Sequence, residues 1–159
     1  MDERVTAILK KRAQRYAPPL EEKKQDILVG IFVGCRIGEI QFALPSAVVV
    51  ECAPLAHWTP FFGHKHLLGI THLRGDVMSL IDLSEAVTGK PSGQCNSMAV
   101  IQAPHGRFAV PVSEVLGMRN VEKNDLIPQE QWPLTSDLIF GATRDFWFLV
   151  KEKALLELA

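Results

Sequence analysis

From Ile27 onward the chain consists of short runs of β-branched, aliphatic and aromatic residues, interrupted about every ten residues by glycine, proline or asparagine. An amphipathic helix needs apolar residues three and four positions apart over ten or more residues, which runs this short cannot supply. They suit strands, whose side chains alternate between two faces. The pattern predicts an all-β fold with strands at about 27–33, 38–44, 46–52, 67–73, 76–83, 97–103, 106–112, 114–121, 138–144 and 146–151. Gly34 to Gly38 and Pro104-His105-Gly106 fall where hairpins must turn. The clearest internal loop, with Gly89, Pro91, Ser92, Gly93 and Asn96, runs from Thr88 to Asn96 and divides the strands into two groups of about five.

Helical spacing is confined to the edges of this pattern. Val5, Ile8, Leu9 and Tyr16 recur at helical intervals over residues 3–16, with Arg4, Lys10, Lys11, Arg12 and Arg15 between them, and Pro18-Pro19 ends the run. Residues 1–26 therefore read as a helix and linker ahead of a domain spanning 27–152. Residues 153–159 form a closing helix, with Ala154, Leu155 and Leu158 on one side. A helical turn is also expected over Ser84–Val87, with Ser84 as its cap. At 159 residues and 47% hydrophobic, the chain is large enough to bury a core without staples.

A net charge of −1 gives no broad field for nucleic acid or anionic lipid. Three widely spaced cysteines, Cys35, Cys52 and Cys95, suit a reducing compartment. The start Met-Asp-Glu-Arg has neither the cationic nor the apolar part of a signal peptide, so a cytoplasmic location is expected. Neither Gly-x-Ser-x-Gly nor Gly-x-x-x-x-Gly-Lys-Ser/Thr occurs, and no catalytic constellation or cofactor motif is legible. Four of the five histidines, His57, His64, His66 and His72, cluster in sequence, which makes a metal- or ligand-sensing β protein the alternative reading.

Two apolar strands, Leu67 to Leu73 and Asp76 to Leu83, meet at Arg74-Gly75. Glycine there supplies the positive φ of a tight turn, leaving the arginine at the tip with its five-donor fork. Spacing leaves two roles open for Arg74: a strut bonded within the fold, or an anchor for a partner.

The same stretch resembles the CheW family of chemosensory adaptors. The match lies in Leu68-Gly69-Ile70-Thr71-His72-Leu73-Arg74-Gly75 followed by Leu80-Ile81-Asp82-Leu83. Supporting pieces are Phe42-Ala43-Leu44-Pro45 running into Val48-Val49-Val50-Glu51, then Val115-Leu116-Gly117, Leu126-Ile127-Pro128 and Ile139-Phe140-Gly141. The resemblance implies two SH3-like five-stranded β-barrels side by side, interleaved within residues 27–152. It also implies a non-catalytic adaptor that is recruited to receptor arrays and needs no cofactor. Such an adaptor couples the helical-hairpin tip of a chemoreceptor to the regulatory domain of a CheA-type histidine kinase. Carried over by position, the partner-binding residues are Val49, Glu51, Gly69, Leu73, Arg74 and Gly75, and an apolar groove is implied near Val49, Leu68, Ile70 and Val115. The chain departs from the family pattern at His72, at Ser113, where an acid is usual, and at Val150-Lys151.

Overall fold

Phe32 to Ile37 pairs in register with Ile40 to Pro45 across a tight turn, and this hairpin starts the first of two sheets. The computed structural model describes residues 28–63 and 65–158. The helix expected over residues 3–16 and the side chain of His64 lie outside the described residues. The strands are β1 (Leu28–Ile37), β2 (Ile40–Pro45), β3 (Val49–Pro54), β4 (Trp58–Pro60), β5 (Leu67–Leu73), β6 (Asp76–Ile81), β7 (Ser97–Ala103), β8 (Gly106–Val112), β9 (Glu114–Glu122), β10 (Ile139–Ala142) and β11 (Trp147–Val150). Among the described residues two short α-helices accompany them, α1 (Leu83–Thr88) and α2 (Glu152–Leu156), with 3-10 turns at Lys123–Asp125 and Gln129–Gln131. The fold is thus mostly β, in two sheets with few helices.

One sheet has the order β10-β11-β2-β1-β9 and the other the order β3-β7-β8-β6-β5-β4. This corrects the expectation that the 88–96 loop separates two strand groups. That loop links β6 and β7 of the same six-stranded sheet through α1, while the first two strands join the last three. Length and spacing report strands, but which strands pair is decided by long-range packing that local sequence does not encode. A further short strand, β4, holds Pro60 at the sheet edge, where a missing N–H breaks no ladder.

The described residues fall into two units, one of 28–30 with 120–124 and one of 31–119 with 125–158. In the smaller unit Val121 is buried and Leu28 exposed. The larger unit contains two apolar cores. Its main core gathers Val33, Cys35, Phe42 and Leu44 from β1 and β2, Ala99, Ile101, Phe108 and Val110 from β7 and β8, Phe148 from β11, and Leu155 from α2. Met98 and Val100 of β7 point the other way, into a smaller core with Ala53, Met78, Leu80 and Ala109. Both faces of β7 are therefore covered, which explains its unbroken apolar run Met98-Ala99-Val100-Ile101. Each fully buried Phe or Leu contributes roughly 2 kcal/mol of transfer free energy. Burial also holds the Cys35 thiol un-ionised, pushing its pKa up to about 12.

The expected helical turn near Ser84 exists, but its cap is Asp82. The Asp82 Oδ1 accepts from the Glu85 N–H at 3.1 Å, and its Oδ2 accepts from the Ser92 N–H at 3.0 Å. Asp82 thus starts α1 and also pins the following loop. The closing helix begins at Glu152, and its Leu155 is fully buried in the main core.

Candidate functional site

Leu73 and Asp76 are the last paired residues of the β5–β6 hairpin, so Arg74 and Gly75 alone make the turn. Both have positive φ, 51° at Arg74 and 88° at Gly75. The expectation assigned that conformation to glycine only. A two-residue hairpin of this kind needs it at both central positions, and an arginine there is strained where asparagine or glycine would not be. Such strain persists where other interactions hold it or where function requires it.

One holding interaction is visible. Arg74 Nη1 donates to Glu51 Oε2 at 2.6 Å, and this bond is the main reason the Glu51 carboxyl lies below its ordinary pKa and the guanidinium above its own. The pairing depends on a β-bulge. Val49 pairs with Ile101, yet Glu51 pairs with Val100, the very next residue on β7. Without the bulge, residues 49 and 51 would share a face. With it, Val49 packs against the main core, while Glu51 takes the face of Val100 and the smaller core, where Arg74 can reach it. Val50 is left exposed.

Further charged groups border the pair. Arg107 approaches Asp76 at 3.9 Å, donates to Gln102 Oε1 at 3.0 Å and adds to the lowering of the Glu51 pKa. Their partnership across β6, β7 and β8 was not legible in the sequence, because it follows from strand order. The Arg74 side chain keeps 70% of its surface exposed, and among the described residues the structure shows one hydrogen bond from it.

The other expected partner-binding residues divide by burial. Leu73 packs against the smaller core and Gly75 is exposed. Gly69 is buried, and a side chain there would collide with the Thr59 carbonyl oxygen and the Trp58 ring, so glycine is what allows β4 to lie against β5. Among the groove residues, Val49, Leu68 and Ile70 are half-buried and Val115 is exposed. Val77, opposite His72 on the hairpin, is 73% exposed and was missed.

A second arginine site also escaped the sequence reading. Arg119 on β9 grips Asp145 through both terminal nitrogens, at 2.7 and 2.9 Å, and lies 4.4 Å over the Trp147 ring. Asp145 Oδ1 also accepts from the Thr143 hydroxyl at 2.6 Å. The Arg119 hydrogen bond is the largest influence holding the Asp145 carboxyl far below the usual carboxylate range.

Of the departures from the family pattern, Ser113 has a side-chain role in the fold. The Ser113 hydroxyl accepts from the Gly38 N–H at 3.0 Å, and the adjacent Glu114 pairs with Arg36 at 3.2 Å. Lys151 is exposed, and its carbonyl accepts the Leu155 N–H at the start of α2. Of the clustered histidines, His57, His66 and His72 are among the described residues. His66 faces Glu85 at 3.4 Å, the His57 carbonyl accepts from the Thr71 hydroxyl, and His72 faces outward on β5. Among the described residues no three His, Cys, Asp or Glu side chains could hold a metal together. No helix among them is long and apolar enough to cross a membrane.

No curated protein matches the sequence significantly. A solved structure, the scaffolding protein TtCheW from Thermoanaerobacter tengcongensis, superposes with a TM-score of 0.62 at 17% identity, over 77% of this chain and 88% of that one. At that identity the likeness is one of fold. The family model for the CheW-like domain matches residues 32–158, taking in both sheets and the Arg74 turn, and the chain therefore belongs to the CheW-like domain family.

Proposed function

We propose that the protein is a non-catalytic adaptor that couples chemoreceptor hairpin tips to a CheA-type histidine kinase in chemotaxis or related motility. It works from the cytoplasm at receptor arrays. The two sheets correspond on this reading to the family's two SH3-like barrels. The observation that carries the reading is the strained, exposed arginine at the β5–β6 turn, oriented by Glu51 from a different strand. A structural strut would spend its donors inside the fold, whereas this one holds most of its surface to solvent. Arginine so placed is suited to a carboxylate or carbonyl on a partner.

The exposed Val77 and the half-buried Ile70, on neighbouring strands of the same hairpin, offer apolar contact for a helical partner. Val49 and Gly69 act by shaping the sheet on which Glu51 and the hairpin stand. The test is reconstitution of the full chain with a receptor cytoplasmic fragment and a CheA-type kinase, scored by co-sedimentation and kinase activation. The wild-type chain should bring the two together. Failure to bind either one contradicts the reading.

A further inference from the structure

The polar groups beside the Arg74 turn form a row across four neighbouring strands, β3, β7, β8 and β6. Glu51 opposes Val100, Val100 opposes Ala109, and Ala109 opposes Leu80, so these residues share the face of the smaller core. Gln102 and Arg107 oppose each other, each two positions along from Val100 and Ala109, and Asp76 lies four positions from Leu80. Strand alternation puts all three on that same face, at the end where the β5–β6 hairpin turns. Arg107 therefore stands between Gln102 and Asp76, with Glu51 beyond Gln102.

Asp76 is the carboxylate nearest to Arg74 in sequence, two residues past it at the foot of the turn, and its side chain is 67% exposed. Among the described residues its ion-pair partner is nevertheless Arg107, at 3.9 Å. Arg107 is itself held in place. Its Nε donates to Gln102 Oε1 at 3.0 Å, and Gln102 is tied by its Nε2 to the Ala103 carbonyl and by its backbone N–H to the Val48 carbonyl, both at 2.9 Å. The charge of Arg107 also acts on Glu51, behind the larger influence of Arg74. One cation thus answers both carboxylates that flank Arg74.

We infer that Arg107 is a positioning residue for Arg74: by balancing Asp76 it keeps that carboxylate from drawing the remaining donors of Arg74 back onto the turn, and so leaves them for a partner. The inference rests on the adaptor reading for its partner, while the placement of Arg74 is a property of the chain alone. A guanidinium has five N–H donors, and Glu51 takes one from Arg74. Without the charge of Arg107, Asp76 is left unbalanced within a short reach of the others. Exposed pairs of this kind shift an equilibrium by a few fold, and salt screens them.

The test uses the full chain at about 50 mM salt, where screening is weak. It reads co-sedimentation with a receptor cytoplasmic fragment and a CheA-type kinase, and the nitrogen-15 relaxation of the Arg74 Nε–H group. Arg107→Gln should melt with the wild type, assemble about threefold more weakly, and show a stiffer Arg74 Nε–H. Adding Asp76→Asn to it should restore both readouts. Adding Glu39→Gln instead, which restores the same net charge from the β1–β2 turn of the other sheet, should leave it weak. The inference is overturned if Arg107→Gln assembles normally, melts well below the wild type, or leaves the Arg74 Nε–H unchanged. It is equally overturned if Asp76→Asn fails to rescue, as for an Arg107 that touches the partner itself, or if Glu39→Gln rescues as well. Should the wild type bring down neither protein, the adaptor reading falls, and the relaxation measurement still decides the placement of Arg74.

Discussion

Two arginine–carboxylate pairs, Arg74–Glu51 and Arg119–Asp145, differ in how the fold holds them. Arg119 meets Asp145 through two hydrogen bonds and stacks on Trp147, and its side chain is 30% exposed. Arg74 meets Glu51 through one bond and is 70% exposed, on a turn that strains it. The first arginine is committed to the fold from several sides. The second is oriented by its carboxylate and otherwise presented outward. The chemical type of the pair is the same, and what differs is how many donors the fold itself consumes.

The largest effect expected of any substitution is at the platform under the committed pair. Trp147 is 7% exposed, and Gly34 lacks a side chain because one would overlap the Trp147 ring. Trp147→Ala should cost about 3–5 kcal/mol in urea denaturation. A loss below 1 kcal/mol would mean that Arg119 and Trp147 are surface ornaments, and the contrast with Arg74 would collapse. Gly69→Ala comes next at roughly 1–3 kcal/mol, because the added methyl must push β4 and Trp58 away from β5. Thermal melting would read it, and an unchanged melting temperature would show that β4 is not held in this way.

Asp145→Asn should cost about 1 kcal/mol, a modest figure because the carboxylate is more than half exposed. Its pH dependence sharpens the contrast. The folded-state pKa lies below the ordinary 3.8, so the pair's contribution is complete above that value and is lost as acid carries the pH down toward the folded one. Wild type should therefore lose stability more steeply than Asp145→Asn as pH falls below about 4, and parallel curves would contradict the assignment. Smallest of all is Glu51→Gln. Stability should not change measurably, while partner assembly should weaken roughly two- to threefold through a less well oriented Arg74. Equal loss in Glu51→Gln and Arg74→Ala would instead make the pair, and not the arginine, the contact.

Much of this was legible from local pattern. The β5–β6 hairpin was read to within two residues because short apolar runs and an Arg-Gly turn are both short-range signals. The resemblance placed both Arg74, in the signature, and Glu51, in a supporting strand, among the partner-binding residues, but only the bulge at Val50 explains how a residue two places from a core-facing valine reaches the other face. Bulges, sheet order and the interleaving of first and last strands are set by pairings between distant segments. The same limit hid Arg119 and Asp145, 26 residues apart on elements that only the folded sheet brings together. Asp82 was seen as part of the signature, yet its task is to cap α1 and hold Ser92, a role visible only once the loop returns to it.

The central claim is that Arg74 is an outward anchor and Arg119 an inward strut. Co-sedimentation of Arg74→Ala and Arg119→Ala with a receptor fragment and kinase, alongside their melting curves, tests it directly. Arg74→Ala should melt with the wild type and lose assembly on the order of tenfold, whereas Arg119→Ala should melt earlier and still assemble below its transition. Undiminished assembly by Arg74→Ala at unchanged stability would contradict the account.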